Sequence, residues 1–331
     1  MGDWLASFDP ETTLLIGRVL GAALALGLGG IGAAIGMGMT AGSADEAIMR
    51  QPEQQGPMLR TMLIGQAVGG SPSIFALVIG LLVLFIAVGD AENAGGNVFF
   101  AFIGAGLAIG FGCLGSALGC GWPSMRACEA VARNPRRSGQ ITQAMVIGQA
   151  IAQSPAIFAT VVALILVVGT QSGTDWLIMG TLVGAGIAVG ASAVGAGIGS
   201  GWTAGGAVQA MGHWPHSHGV AFRTMLIGQA TSQTPAVFGL LIAFIMLYAT
   251  GGQLNDFETF AKMLAAAIAV GFGGIGPGFG SGLVGGAGCE ITGPRPEKNA
   301  LFLQTMLIGQ AVSQSTAIYS LIIALLLIYV V

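Results

Sequence analysis

Hydrophobic residues come in eight long runs arranged as four pairs, and each run is long enough to cross a bilayer as a helix. The first run of a pair is rich in glycine, as in "GLGGIGAAIGMGMTAGSADEA" from Gly27. The second is rich in Leu, Ile, Val and Phe, as in "FALVIGLLVLFIAV" from Phe75. A short polar loop joins the two runs. The pattern predicts an all-α membrane protein with eight transmembrane helices in four tandem hairpins, whose backbones pack closely along the glycine faces.

The four hairpins are copies of one repeating unit. The tripeptide Gly-Gln-Ala begins at Gly65, Gly148, Gly228 and Gly309, in steps of 83, 80 and 81 residues. A proline recurs with the same steps in the loop inside each hairpin, at Pro52, Pro135, Pro215 and Pro296. We expect the hairpins to occupy residues 1–92, 93–172, 173–254 and 255–331.

Composition supports a lipid environment and excludes several functions. Hydrophobic residues make up 54% of the chain and charged residues 8%, against about a quarter charged in soluble domains. A net charge of −3 without a basic tract argues against a nucleic-acid partner. The four cysteines have no CxxC spacing, and no Ser-His-Asp or metal-ligand cluster is present. We therefore expect no catalytic site, no cofactor and no metal site.

Basic residues indicate how the hairpins are oriented. Most of them lie in or beside the loops inside the hairpins: Arg50, Arg60, Arg126, Arg133, Arg136, Arg137, Arg223, Arg295 and Lys298. Loops rich in Lys and Arg stay on the cytoplasmic side of a membrane. The expected location is a bacterial inner membrane, crossed several times, with the intra-hairpin loops in the cytoplasm.

The order of motifs resembles a known family. A glycine-rich helix, an "EAIMRQP" or "EAVARNP" loop and a "TMLIGQA" helix resemble the c subunit, or proteolipid, of rotary ATP synthases, over essentially the whole chain. The resemblance implies a homo-oligomeric ring in the membrane, bathed in lipid, with central-stalk and stator subunits as partners. The loop residues that it places against the stalk are Arg50, Gln51, Pro52, Arg133, Asn134, Pro135, Pro215, Arg295 and Pro296.

The residue that carries the ion in that family is missing here. The resemblance places a Glu or Asp five residues after the glycine of Gly-Gln-Ala, where this chain has Gly70, Gln153, Gln233 and Gln314. A glutamine amide does not titrate near neutral pH. A sodium ion held without an acid would keep its full charge in a medium where an uncompensated charge costs several kcal/mol. Ordinary proton or sodium translocation by this chain is therefore doubtful.

Several explanations of the glutamines remain open. The i, i+4 pairs that share a helix face are Gln149 and Gln153, Gln229 and Gln233, and Gln310 and Gln314; Gln66 is the hairpin 1 counterpart of Gln149. Their amides can join neighbouring helices, at about 0.6 to 2 kcal/mol for each hydrogen bond. Alternatively, Gln314, Ser315, Thr316 and Ser281 form a residual sodium site, because sodium-type rings place a Ser-Thr pair after the carboxylate. Introduction of the glutamines by engineering is a third possibility.

Two functions follow from these interpretations. The first is a rotor-ring subunit of a rotary ATPase, with ions carried by another ring subunit or by an unusual site. The second is a structural membrane protein that forms a ring and has lost transport.

Overall fold

The computed structural model describes residues 10–86, 91–169, 175–249 and 256–330. These residues are helical apart from short turns, and none of them lies in a β-strand. Eight helical stretches among them are long and apolar enough to span a membrane: Glu11–Arg50, Pro52–Phe85, Gly96–Arg133, Pro135–Gly169, Trp176–His213, Pro215–Tyr248, Phe257–Thr292 and Pro296–Tyr329. The prediction of an all-α, multi-pass membrane protein built from four hairpins is confirmed.

The glycine-rich runs form the first helix of each hairpin. These are α1 (Pro10–Arg50), α4 (Ala91–Arg133), α7 (Trp176–His213) and, in hairpin 4, the two pieces α10 (Phe257–Gly273) and α11 (Ile275–Thr292). A single 3₁₀ turn that starts at the loop proline leads into each second helix: Pro52–Gln54, Pro135–Arg137, Pro215–Ser217 and Pro296–Lys298. Each first helix thus reverses into its second helix within a few residues, as a hairpin requires.

The second helices are interrupted in three of the four hairpins. They comprise α2 (Gln55–Gly69) and α3 (Ser71–Phe85), α5 (Ser138–Ala152) and α6 (Ser154–Gly169), α8 (His218–Ser232) and α9 (Thr234–Tyr248), and the unbroken α12 (Asn299–Tyr329). Each interruption lies two residues before a proline: Pro72, Pro155 or Pro235. Proline has no N–H and its ring crowds the carbonyl four residues earlier, so the helix breaks there. Hairpin 4 has Thr316 at this position and its second helix continues.

Successive first helices pack side by side through glycine. A Cβ built on Gly115 would overlap the backbone of Val194, and one on Gly199 would overlap that of Gly278. Only glycine leaves room for backbones at this distance. The first helices therefore form a continuous layer, and the second helices lie against it with fewer contacts among themselves.

Candidate functional site: glutamines between the hairpins

The glutamine of Gly-Gln-Ala makes the same contacts at each junction within the chain. Its Nε2 donates to the carbonyl of the Gly-Gln-Ala glycine in the preceding hairpin and to a carbonyl of its own first helix. The pairs are Gln149 to Gly65 (2.9 Å) and Cys120 (3.1 Å), Gln229 to Gly148 (2.8 Å) and Ser200 (3.1 Å), and Gln310 to Gly228 (3.0 Å) and Ser281 (2.9 Å). These three side chains are fully buried. Each amide therefore joins three helices from two hairpins.

Gln66 occupies the same position in hairpin 1 but has only half of these contacts. Its Nε2 donates to the Met37 carbonyl at 3.2 Å, as its counterparts donate to their own first helices. Among the described residues no hairpin lies before hairpin 1, and Gln66 has no other side-chain hydrogen bond there. Gln66 therefore lacks, within the described residues, the second carbonyl acceptor that a preceding hairpin supplies to its counterparts.

The glutamines at the expected carboxylate position form a second row of contacts. Their Nε2 atoms donate to backbone carbonyls of the preceding hairpin: Gln153 to Val68 at 2.7 Å, Gln233 to Ile151 at 2.6 Å, and Gln314 to Thr231 at 3.0 Å. These acceptors lie four residues before Pro72, Pro155 and Pro235. Because proline has no N–H, each carbonyl has lost its helical donor, and the glutamine of the next hairpin supplies another. The hydroxyls of Ser71 and Thr234 also donate to the Val68 and Thr231 carbonyls, at 2.8 and 2.9 Å. We call each pair, Pro72 with Gln153, Pro155 with Gln233, and Pro235 with Gln314, a proline–glutamine lock.

Two of the three locks also reach the first helix of their own hairpin. Gln314 Nε2 donates to Ser281 Oγ at 3.0 Å, and Gln153 Nε2 contacts Cys120 Sγ at 3.5 Å. In addition, Ser71 donates to Gln153 Oε1 at 2.8 Å across the first junction. The amide nitrogens thus fill the space between acceptors from two hairpins.

Gly70, the fourth residue at this position, offers no side chain. A Cβ there would lie 3.3 Å from Met37 Sδ and 3.1 Å from the Gln66 carbonyl. The Met37 thioether therefore takes up space near Gly70 that its counterparts, Cys120 and Ser281, leave to a glutamine amide.

The four residues of the hypothetical sodium site are only partly brought together. Ser281 meets Gln314, but the Ser315 hydroxyl donates to the Val312 carbonyl at 2.7 Å and the Thr316 hydroxyl to the Ser313 carbonyl at 3.2 Å. Both hydroxyls turn back onto their own helix. This geometry supports a packing role for Gln314 over sodium binding.

The nine residues predicted to face a stalk lie in or beside the four 3₁₀ turns, and none of them is buried. Arg50 forms an exposed ion pair with Glu46 at 3.4 Å. Arg133 contacts His213, and Arg137 Nη1 donates to the Pro215 carbonyl at 2.6 Å, so the turns of hairpins 2 and 3 touch. The other residues of this set are Gln51, Pro52, Asn134, Pro135, Arg295 and Pro296.

Comparison with known proteins identifies the family. The family profile for the c subunit of ATP synthase matches the chain four times, at residues 20–83, 103–166, 183–246 and 264–327. The chain belongs to the ATP synthase c-subunit family. The resemblance of its motifs to this family is therefore confirmed, and the chain is a non-catalytic membrane rotor subunit.

Curated relatives in the c-subunit family are the size of one hairpin. The ATP synthase c subunit of Natranaerobius thermophilus is 48% identical over 77 residues, which cover 23% of this chain and 88% of the relative. That of Alkaliphilus oremlandii is 50% identical over 72 residues, 22% of this chain and 81% of the relative. The ATP synthase c subunit numbered 2 in Cereibacter sphaeroides is 47% identical over 76 residues, 23% of this chain and 90% of the relative.

Sequence reasoning within the c-subunit pattern missed the partners of the glutamines. It did not find that Pro72, Pro155 and Pro235 each free a carbonyl for the next hairpin, or that Ser124 Oγ accepts from Gln149 at 2.6 Å. One signal was available, because a proline in one hairpin is always followed by a glutamine at the carboxylate position of the next. Because every residue has a backbone carbonyl, the sequence does not indicate which carbonyls accept a hydrogen bond.

Proposed function

We propose that this c-subunit homologue is a four-hairpin segment of a rotor ring whose ion-carrying positions are closed by neutral amides. The observation that carries the proposal is the set of hydrogen bonds from Gln153, Gln233 and Gln314 to carbonyls of the preceding hairpins. Each amide nitrogen occupies space between two hairpins that a bound cation would need. Gly70 brings no polar group to the remaining position.

The chemistry of the amide explains why such positions do not transport. A carrier group in a membrane has to be neutral when loaded and charged when it faces a stator arginine, and a carboxylate meets both conditions. A glutamine has no titratable proton and no charge to exchange near neutral pH. Ions that cross such a ring have to be carried by another ring subunit that bears an acid.

The same proposal includes the assembly and its setting. Copies of the chain form a homo-oligomeric ring, the four 3₁₀ turns contact a central stalk, and a stator lies outside the ring. The turns face the cytoplasm of a bacterial cell, because most basic residues lie in or beside them. The hairpins divide the chain at 1–92, 93–172, 173–254 and 255–331.

Carbodiimide labelling tests the closed positions. Dicyclohexylcarbodiimide modifies protonated, buried carboxyls, so we expect no modification of the second helices in the parent chain. Gln314→Glu places an acid inside a membrane-spanning helix, where its protonated form can donate to the Thr231 carbonyl. We expect labelling of this variant at mildly acidic pH.

Gln304→Glu, at an exposed position of the same helix, is the matched control and should stay unlabelled. Labelling of the parent second helices, mapped by mass spectrometry, would contradict the proposal.

The second candidate function, a structural ring without a rotary partner, is favoured by the turn of hairpin 3. Its sequence "HWPHSH" departs from the sister loops, and Trp214 packs against Gly293 of hairpin 4, so part of this turn is occupied within the chain. Purification in mild detergent separates the two functions. Stalk and stator subunits that copurify with the chain support the rotor, and a ring that purifies alone supports the structural role.

A further inference from the structure

The three locks reveal how copies of this chain meet, if they form the proposed ring. A fourth junction would bring hairpin 4 of one copy against hairpin 1 of the next. At that junction Thr316 stands in place of the proline and Gly70 in place of the glutamine. We propose that copies join head to tail at this junction, which in the ring has no covalent connection, and that the missing lock makes it easier to open. We call the junction the seam.

The seam lacks both residues of a lock, the proline and the glutamine. Helix α12 runs unbroken, so the Val312 carbonyl keeps the N–H of Thr316 and needs no donor from a neighbour. Gly70 supplies no donor. A freed Val312 carbonyl would keep only the Ser315 hydroxyl as a donor, and a buried glutamine without an acceptor would cost free energy. A junction of hairpin 4 with hairpin 1 therefore carries neither cost, because the proline and the glutamine are missing together.

The packing surfaces at the two ends are complementary halves of the internal interface. Gly110 and Gly121 approach the backbones of Leu24 and Gly36 in the preceding hairpin. Their hairpin 1 counterparts, Gly27 and Gly38, have no described residue within 4 Å of a Cβ. On the opposite side, Gly195 lies against Ile275 of the following hairpin. Its hairpin 4 counterpart, Gly276, has no neighbour within 4 Å among the described residues. One end of the chain therefore lacks a preceding helix and the other end a following helix.

The polar groups at the two ends match in the same way. The carbonyls of Gly65, Gly148 and Gly228 each accept from the glutamine of the next hairpin. No side chain in the described part of the chain donates to Gly309, their hairpin 4 counterpart. Gln66 already donates to the Met37 carbonyl of its own first helix, as its counterparts donate to theirs. At the seam, the Gln66 amide of one copy donates to the Gly309 carbonyl of the other. The seam then has one glutamine that bonds across it, whereas each internal junction has two.

A charged residue stands in hairpin 4 where hairpin 2 has a polar contact with the following hairpin. Asn97 Oδ1 accepts the Asp175 N–H at 3.1 Å, at the start of the first helix of the following hairpin. The hairpin 4 counterpart of Asn97 is Glu258, which pairs with Lys262 and whose side chain is 74% exposed. At the seam Glu258 faces the first turn of α1 in the next copy, where the helix dipole favours an anion but Glu11 already lies, so this contact adds nothing to the attraction between copies.

Disulfide cross-linking tests the direction of the contact. Thr61 and Thr142 have their Oγ1 atoms 3.1 Å apart across the first junction, and Thr305 and Leu59 are the corresponding residues at the seam. Chains with Leu59→Cys are mixed with chains with Thr305→Cys before assembly and then oxidised. We expect disulfides only between the two kinds of chain. Thr61→Cys with Thr142→Cys in one chain is the positive control, and the native cysteines are buried.

Each other outcome of the cross-linking has its own meaning. Disulfides between two Leu59→Cys chains indicate a two-fold contact and overturn the seam. If the control cross-links but copies do not assemble at all, the proposed ring itself is wrong.

A double-mutant cycle tests the missing lock. Thr316→Pro removes the helical N–H donor of the Val312 carbonyl and leaves it the Ser315 hydroxyl. Met37→Ser with Gly70→Gln supplies an amide in the arrangement of Ser281 and Gln314. We measure the fraction of rings that dissociate into chains in increasing SDS. Thr316→Pro alone should promote dissociation. The two changes together should be more resistant than their separate effects predict, by about 3- to 30-fold in the dissociation constant, as for one membrane hydrogen bond.

The outcome that overturns the lock is separate from failure of the ring. If head-to-tail disulfides form but the combined variant shows no such coupling, the lock does not determine where the ring opens. Gln66→Leu serves if the proline variant does not fold, and should promote dissociation into intact chains. Gln229→Leu, the same change at an internal junction, should do so less, because the polypeptide still connects its hairpins. Equal dissociation of these two variants overturns the seam as well.

Discussion

At the scale of single residues, the buried glutamines use only half of their hydrogen-bonding capacity. The amide nitrogens of Gln149, Gln229 and Gln310 donate twice or more, but their Oε1 atoms are buried and accept from no protein group in the described ranges. A buried acceptor without a partner costs free energy, which offsets part of what the donors contribute. The net stabilisation from each side chain is therefore smaller than its number of hydrogen bonds suggests.

Gln149→Leu tests this balance. The change removes hydrogen bonds to the Gly65 and Cys120 carbonyls and to Ser124 Oγ, together with the unpaired Oε1. The three carbonyl and hydroxyl acceptors keep bonds within their helices, so we expect a loss of about 1 kcal/mol in the free energy of unfolding. Helix content by circular dichroism during SDS unfolding gives the value. Gln304→Leu, at an exposed site, is the control with no expected change. A loss of several kcal/mol for Gln149→Leu would show that the unpaired Oε1 does not offset the hydrogen bonds donated by the amide nitrogen.

The sequence predicts which helix face carries these glutamines, but it does not reveal their hydrogen-bond partners. The repeated Gly-Gln-Ala and the i, i+4 spacing indicate which side chains share a helix face between hairpins. The acceptors are mostly backbone carbonyls, which every residue has, so residue types alone do not select them. The structure was also needed to show that Ser315 and Thr316 turn away from Ser281.

At the scale of helices, glycine and proline have distinct and separable roles. Prolines interrupt three second helices and open carbonyls to the next hairpin, and glycines let the first helices approach. The number and length of the membrane spans could be predicted, because they depend on hydrophobicity alone. The break at Gly274 before Pro277 in hairpin 4 and the unbroken α4 around Pro123 could not be predicted in this way, because a proline accompanies a break in one helix and not in the other.

Two glycine substitutions separate close packing from helix propensity. Gly199→Ala puts a methyl group against the backbone of Gly278, which cannot move aside, so we expect a loss of about 1 to 3 kcal/mol from overpacking. Gly139→Ala is the matched control, because nothing lies within 4 Å of its Cβ and hairpin 4 has Ala300 at the same position. There we expect no loss and a gain of up to about 1 kcal/mol. Equal effects on SDS unfolding would mean that first-helix contacts do not depend on glycine.

At the scale of the whole molecule, the four hairpins have three complete junctions between them and two end surfaces without a neighbour in the chain. Three junctions have a complete set of contacts, and the two end hairpins carry the two halves of a fourth. The regular spacing of Gly-Gln-Ala shows that the hairpins are alike. It does not show which differences between them matter, because Thr316 in place of Pro and Gly70 in place of Gln become related only through the proposed seam.

The side of the membrane on which the turns lie is a property of the whole chain, and it follows from the distribution of charge. Basic residues cluster around the four 3₁₀ turns, and the opposite ends of the helices carry few. Because the native cysteines are buried, a single exposed cysteine gives a clean signal with an impermeant maleimide. Glu297→Cys, in the turn of hairpin 4, should react only after the cells are opened. Glu11→Cys, at the start of α1, should react in intact spheroplasts. The reverse pattern would place the turns outside the cytoplasm, where no central stalk reaches them, and would leave the structural ring as the better account of this chain.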